Sequence, residues 1–314
     1  WQLARGLWYE YAMAREIPYV KELQFEYGQP AQAAPHVRRV VAKNPSPFTH
    51  VGSGTYLIGQ GRVAVIDPGP ALEEHVDALL SALGTEEVAH ILVTHTHQDH
   101  SGAAQLLAAK TGAPTYGFGP HAQGRHQPED KVEAGADWNF VPDRVLREGD
   151  VLSGPGYNLT ALHTPGHCSN HLCFSLAEGN TLFTGDHVMG WATSVIVPPD
   201  GDMDDYLTHL ERLLHRDDAR FLPTHGPVID DPKPLVAAYI EHRREREAAL
   251  LACLDAGVRH IADVVAQVYK DVPVFLHPAA ARSIFAHVLA LHAQGRVGTE
   301  GEPRLEGEFF RTGN

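Results

Sequence analysis

Residues 94–102 read THTHQDHSG and place three histidines and one aspartate within six consecutive positions. The stretch directly follows the apolar run HILV and precedes AAQLLAAK, a pattern typical of a helix. It therefore lies on a loop at the carboxyl end of a strand, where α/β proteins collect their functional groups. Neighbouring imidazoles repel each other when protonated and need a shared partner when buried. We interpret the stretch as a metal site rather than as a polar loop of hydrogen-bonded histidines.

The spacing of residues within this loop suits two adjacent cations. In an extended or tightly turning loop, His95 and His97 point to one side, whereas Asp99 and His100 fold back toward a second point. Four side chains are too few for two metal ions, so other ligands must come from later in the chain. Three candidates each follow an apolar run typical of a strand, in LHTPGHCSNH, TLFTGDH and FLPTHGP: His167, Asp186 and His225.

Five short motifs in this order resemble the metallo-β-lactamase superfamily over about residues 37–230. They are VIDPG, THTHQDH, HTPGH, FTGD and THG. The resemblance implies two ligand sets and one bridging residue: His95, His97 and His167 for the first metal, Asp99, His100 and His225 for the second, and Asp186 between them. It also implies that Asp67, in VIDPG, orients the ligands. His163, which begins HTPGH, is not the matching ligand.

The expected reaction is metal-assisted hydrolysis. Two divalent cations about 3.5 to 4 Å apart can share a water molecule and lower its pKa from 15.7 toward about 7. The resulting metal-bridging hydroxide would attack a carbonyl or phosphoryl substrate. Asp99 is the expected catalytic residue because it can hydrogen-bond this nucleophile and orient it. Zinc is the expected metal, since it suits histidine and aspartate ligands and is redox-inert, and manganese and iron are the alternatives.

Iron chemistry of the same fold gives an alternative function. Members of the superfamily that reduce oxygen at two irons carry a glutamate at the position of His97, so the resemblance disfavours that activity. A mononuclear iron dioxygenase stays an alternative, because such members use the first ligand set only.

Several residues beside the candidate ligands have more than one interpretation. His187 is either an acid in the substrate pocket or a hydrogen-bonded residue at a strand end. His171 and Asn170 either line the pocket or support the loop. Cys168, next to a candidate ligand, is interpreted as a small buried filler.

Short apolar runs alternate with helical patterns from Val37 to His225, which predicts the α/β class with helices covering the sheets. The superfamily resemblance implies an αββα sandwich. Apolar residues between Leu72 and Leu83 repeat at helical spacing and predict one helix. A second predicted helix, SGAAQLLAAKTG, begins with Ser101 as its N-cap and ends at Gly112.

The sequence predicts three regions. Residues 1–36 form an N-terminal extension packing on the core, residues 37–234 form the catalytic domain, and residues 235–314 form a small helical, winged-helix-like domain. Two prolines in DDPKPL mark the second boundary, and three helical patterns followed by two short extended pieces mark the last region. The stretches GDHVMGW and AAYIEHRREREAALL are similar to a superfamily branch with an appended winged helix, which includes endoribonucleases acting on single-stranded RNA.

Composition constrains the partners. A formal net charge of -14 disfavours a nucleic-acid-coating surface, and the tail from 237 to 297, with 7 Lys/Arg and 6 Asp/Glu, has no basic stripe. Three cysteines without CxxC spacing indicate reduced thiols. The sequence shows neither a secretory signal nor about 18 successive apolar residues, so we expect a cytoplasmic protein without a membrane partner. Homo-oligomerisation is left open.

Three hypotheses about function follow. The first is a dinuclear hydrolase of a small ester, thioester, lactone or amide, with a small-molecule substrate. The second is an endoribonuclease that cuts single-stranded RNA. The third is a non-catalytic nucleic-acid-binding module, which the seven filled ligand positions disfavour.

Overall fold

The computed structural model describes residues 17–122 and 135–313. Residues 19–232 form one compact unit, and residues 233–313 belong to a second. The first 16 residues of the predicted N-terminal extension lie outside the described part of the chain. Within the rest of that extension, Pro30–Ala34 forms a strand of the first unit.

The first sheet of residues 19–232 has seven strands in sequence order. They are β1 (Pro30–Ala34), β2 (Val37–Val41), β3 (Gly54–Ile58), β4 (Arg62–Ile66), β5 (Glu87–Leu92), β6 (Thr115–Gly117) and β7 (Arg144–Val145). The first four pair antiparallel, and β4 to β7 pair parallel. Parallel neighbours need long connections, which here contain α1 (Glu73–Leu83), α2 (Gln98–Ser101) and α3 (Ala104–Thr111).

The second sheet has six strands in the order β13-β12-β11-β10-β9-β8. They are β8 (Val151–Gly154), β9 (Tyr157–His163), β10 (Leu172–Leu176), β11 (Thr181–Gly185), β12 (Arg220–Pro223) and β13 (Ile229–Asp230). All neighbours pair antiparallel except β11 and β12, which are parallel and joined through α4 (Met203–Leu214).

Alternating side chains of the central strands supply two hydrophobic layers. Tyr56 and Ile58 of β3 pack with Phe174 and Phe183 of the second sheet. Leu57, between them in sequence, packs instead with the helix layer that contains Leu79 and Leu107. Each fully buried side chain of this size contributes roughly 1.5 to 3 kcal/mol of hydrophobic stabilisation. Two facing sheets with helices against the first confirm the predicted α/β class.

The start of the predicted second helix is wrong, although its end is right. Ser101 is the last residue of α2, and its hydroxyl donates to His97 O (3.1 Å) and to Asp137 Oδ2 (2.8 Å), so it does not cap α3. The stretch QDHS forms a helical turn of its own, and α3 starts three residues after Ser101. Gly112 ends α3 in the left-handed conformation (φ 75°), which glycine adopts without steric cost.

The unit from Lys233 contains three helices and a two-stranded sheet. They are α5 (Lys233–Asp255), α6 (Ile261–Val268), a 3₁₀ turn (Val274–Leu276), α7 (His277–Ala293), β14 (Val297–Thr299) and β15 (Phe309–Arg311). This is the predicted order of a winged helix. By length and composition the segment Val274–Ala293 could cross a membrane. Its residues Ile284, Val288 and Leu291 belong to the hydrophobic core of this unit.

Candidate metal centre

Five of the seven candidate ligands lie in loops that follow strands, and the other two lie in α2. His95 and His97 follow β5, and His97 precedes α2, which carries Asp99 and His100. The three other candidates follow β9, β11 and β12: His167, Asp186 and His225. The helical turn of α2 explains how Asp99 and His100 diverge from the two histidines before them. The structure brings all seven residues together.

Three imidazoles form the first donor set. Nε2 of His95 lies 2.8 Å from Nδ1 of His97, which lies 3.2 Å from Nε2 of His167. All three side chains are buried. Burial, with the neighbouring histidines His100 and His97, lowers the pKa of His95 well below its usual value. This ring is therefore neutral, the state that a metal requires of an imidazole.

The second donor set contains Asp99, His100 and His225. Oδ2 of Asp99 lies 3.0 Å from Nε2 of His225 and 3.6 Å from Nε2 of His100. Burial opposes charge on both imidazoles, but the neighbouring carboxylates dominate. They raise the pKa of His225 above its usual value and that of His100 well above it. Burial likewise opposes charge on Asp99, but His100 and His225 hold the pKa of this carboxyl below its usual range.

Asp186 extends one oxygen toward each donor set. Its Oδ1 lies 3.5 Å from Nε2 of both His100 and His225, and its Oδ2 lies 3.9 Å from Nε2 of His167. Although burial opposes ionisation, His225 and His100 hold the pKa of Asp186 below its usual range. The carboxylate is therefore ionised and placed to bridge two cations.

The donor atoms fit divalent metal ions. Within the described residues, Nε2 of His100, Nε2 of His225 and Oδ1 of Asp186 are buried without a hydrogen-bond partner. Their separations of 3.5 Å are long for hydrogen bonds. Ligands about 2.0 to 2.2 Å from one ion lie roughly 3.3 to 3.6 Å apart in a tetrahedral site. A cation would therefore satisfy atoms that the protein leaves unsatisfied.

Asp67 is not a candidate ligand, but it contacts residues of the centre through hydrogen bonds. Its carboxylate accepts hydrogen bonds from the backbone N–H of Thr94 (2.8 Å) and from the hydroxyls of Thr94 (2.8 Å) and Thr224 (2.6 Å). Its Oδ2 also lies 2.8 Å from Nδ1 of His100, so that Nε2 of this ring faces Asp186. This fully buried carboxylate thus connects the loops after β5 and β12 with a candidate ligand.

Two backbone carbonyls orient other ligands. Nδ1 of His167 lies 2.7 Å from Val195 O, and Nδ1 of His225 lies 3.3 Å from Gly52 O. Such contacts leave Nε2 facing the centre in both rings. Sequence reasoning missed these partners, because a carbonyl is present at every position and carries no residue-specific signal.

Three of the residues with open interpretations are buried: Asn170, His171 and His187. Asn170 donates to Thr96 Oγ1 (2.7 Å) and to Gly119 O (3.1 Å), which ties two loops together. Nε2 of His171 accepts the backbone N–H of Asp186 at 3.3 Å. His187 is fully buried beside Tyr206, with ring centroids 4.9 Å apart.

Two further residues of the β9–β10 region have distinct contacts. His163, the first residue of HTPGH, stacks on Phe118 with ring centroids 4.0 Å apart, and its Nε2 lies 2.9 Å from Ser169 O. Cys168 is fully buried, and its sulfur lies 3.5 Å from Nε2 of His97.

Comparison with known families gives two matches. The Metallo-beta-lactamase superfamily matches residues 49–225, and the Beta-lactamase associated winged helix domain matches residues 261–305. These two matches, together with the fold neighbours of the chain, confirm the predicted αββα sandwich and the winged-helix assignment.

Individual proteins show the same similarity. The chain is 33% identical to the Beta-lactamase-like protein 2 homolog of Caenorhabditis elegans over 79% of its length and 81% of the relative's. It is 30% identical to the atrochrysone carboxyl ACP thioesterase of Claviceps purpurea over 76% and 74%, respectively. A solved structure, that of a metallo-beta-lactamase family protein from Thermus thermophilus, superimposes with a TM-score of 0.70 at 25% identity, covering 88% of this chain and 99% of that one.

Proposed function

Because the chain belongs to the metallo-β-lactamase superfamily, we propose that it is a hydrolase with two metal ions, preferably zinc, and that its substrate is a small thioester. Esters, lactones and amides of similar size are the next candidates.

The position of Asp186 carries the dinuclear part of this proposal. One carboxylate oxygen faces His100 and His225, and the other faces His167 of the histidine set. A mononuclear iron site of two histidines and one carboxylate would use Asp186 as a ligand of a single ion. It would leave Nε2 of His100, Nε2 of His225 and Oδ1 of Asp186 buried without a partner.

Two divalent cations held by these sets would supply a water of lowered pKa and Lewis-acid stabilisation of the substrate oxygen on which negative charge develops. The surrounding residues decide where this chemistry takes place. The Asp99 side chain is 27% exposed, whereas those of His100 and His225 are at most 1% exposed. Substrate and water therefore approach the centre on the Asp99 side.

Asp99 orients the attacking water rather than removing its proton outright. The low pKa of this carboxyl makes it a weak base but keeps it an ionised hydrogen-bond acceptor. Its Oδ2 lies 3.0 Å from Nε2 of His225, which places this carboxylate beside the second donor set. We therefore assign Asp99 the positioning of the nucleophile.

Leaving-group chemistry favours a thioester over an amide. A thiol has a pKa of about 8.5, so it departs as a thiolate without prior protonation, whereas an amine needs a general acid. The two donor sets contain ionised carboxylates and imidazoles that face the metal positions. Neither kind of group is available to protonate an amine leaving group. The Claviceps purpurea relative is named as a thioesterase, which agrees with this choice. The net charge of -14 disfavours a polyanionic RNA substrate.

A substrate panel tests this function. Protein of measured metal content is assayed against short-chain and aromatic acyl thioesters, matched oxygen esters, lactones, amides and single-stranded oligoribonucleotides. We expect thioester turnover that disappears on chelation and returns with zinc. Cleavage of oligoribonucleotides in a salt-sensitive manner, without thioester turnover, would assign the RNA alternative instead.

A further inference from the structure

A second group of metal-ligand side chains lies outside the seven candidate ligands. His121 follows β6, Cys168 lies between β9 and β10, and Asp200 precedes α4. An imidazole nitrogen, the sulfur and a carboxylate oxygen of these residues lie within 4.8 Å of one another. All three residues are buried, with 6%, 0% and 2% of their surfaces exposed. The group combines nitrogen, sulfur and oxygen donors in one interior position.

The separation between His121 and Asp200 matches a coordination shell better than an ion pair. Nε2 of His121 lies 3.8 Å from Oδ2 of Asp200, too far for a hydrogen bond. Zinc ligands at about 2.0 to 2.3 Å from the ion lie roughly 3.3 to 3.8 Å from each other. The separation resembles the 3.9 Å between His167 and Asp186 in the main centre. A buried ion pair without an ion between its members would close to hydrogen-bonding distance.

The outer contacts of this group are those that metal ligands usually have. Nδ1 of His121 lies 2.9 Å from Oγ1 of Thr96, which also accepts a hydrogen bond from the Asn170 amide at 2.7 Å. Oδ2 of Asp200 accepts the backbone N–H of Ser169 at 3.1 Å. A partner on the far ring nitrogen and a hydrogen bond to the carboxylate orient such ligands toward the ion.

We propose that His121, Cys168 and Asp200 bind a third metal ion of the zinc class, separate from the dinuclear centre. The donor set of thiolate, imidazole and carboxylate suits Zn²⁺. On binding, the Cys168 thiol releases its proton to solvent, and the sulfur forms the bond to the ion.

This third site is coupled to the main centre through His97. The sulfur of Cys168 lies 3.5 Å from Nε2 of His97, whereas Nδ1 of His97 faces His95 and His167. A metal-bound thiolate would accept the Nε2–H of His97 and so hold Nδ1 toward the first donor set. The sulfur also lies within 4.8 Å of a ring nitrogen of each of His95, His97 and His167, so the variants described next distinguish the two assignments of Cys168.

Metal counting and cobalt spectroscopy test the proposal without an activity assay. The wild-type chain and the variants Asp200→Asn, His121→Gln, Cys168→Ser and Cys253→Ser are loaded with Co²⁺, and metal per chain is measured. Asp200→Asn keeps the shape and the acceptor for Ser169. Cys253→Ser removes a buried thiol from the other unit and is the matched control. Circular dichroism compares the folding of all variants.

We expect three Co²⁺ ions per chain in the wild type and in Cys253→Ser. Both proteins should also show a sulfur-to-cobalt charge-transfer band. The three site variants should lose one equivalent, with at least roughly tenfold weaker binding, and Cys168→Ser should lose the band. Asp186→Ala should keep the band, which separates this site from the proposed dinuclear centre. A wild type without the band would overturn the proposal. So would an undiminished band in Asp200→Asn and His121→Gln, because the sulfur would then belong to the first donor set.

Discussion

The carboxylate of Asp67 lies 2.8 Å from Nδ1 of His100 and turns Nε2 of that ring toward Asp186, 3.5 Å away. The variant Asp67→Asn removes the charge that holds this ring orientation. We expect roughly 10- to 100-fold weaker binding of the second metal, with little change at the histidine set. Competition with a chromophoric chelator measures both affinities.

Thr224→Ala is the matched control for that variant, since it removes one donor to Asp67 without touching His100. Its effect on metal affinity should be smaller than that of Asp67→Asn. Equal losses in the two variants would show that Asp67 acts on the loop after β12 rather than on the His100 ring.

The two donor sets should differ in their pH dependence. Metal binding at the second set displaces protons from His100 and His225, whose pKa values are raised by the neighbouring carboxylates. Affinity there falls as pH decreases, by up to about tenfold per displaced proton and pH unit. His95 of the first set, with a lowered pKa, is neutral over the same range. Lowering pH from about 7.5 to about 5.5 should therefore release the second metal first. Parallel release of both metals in zinc-buffered dialysis would contradict this assignment.

Gly166 in HTPGH positions the loop that carries His167. Its φ is 140°, and an added Cβ would lie 2.4 Å from the backbone Cα of Tyr206. We expect Gly166→Ala to destabilise the fold by more than about 2 kcal/mol and to lower metal content. Gly257→Ala is the control, because that residue also has a positive φ (85°) but no atom within 4 Å of the added Cβ. Gly257→Ala should lower the free energy of unfolding by only about 1 kcal/mol, because alanine is strained in the left-handed conformation. Urea unfolding measures both variants, and similar losses would place the cause in backbone strain alone.

Most residues of this centre could be predicted from the sequence, because its ligands belong to short local patterns. THTHQDH sets His95, His97, Asp99 and His100 within one loop, and strand-end positions indicated the rest. The fold followed from periodicity and motif order in the same way. Ser101 failed as a cap because α2 forms a turn of its own, which no local propensity indicated.

The third site could not be predicted in this manner. His121, Cys168 and Asp200 are far apart in sequence, and each is unremarkable in its own segment. Only tertiary packing brings their donor atoms within 4.8 Å. Cys168 is interpreted from the sequence as a small buried filler next to a candidate ligand, and the structure shows its sulfur 3.5 Å from Nε2 of His97.

The central claim is that Asp186 joins two metal ions that carry out hydrolysis. It is tested most directly by metal content and thioester turnover of Asp186→Ala beside the exposed-site control Asp204→Ala. We predict that Asp186→Ala loses metal from the dinuclear centre together with turnover, while Asp204→Ala keeps both. An Asp186→Ala protein with wild-type metal content and wild-type turnover would contradict the account.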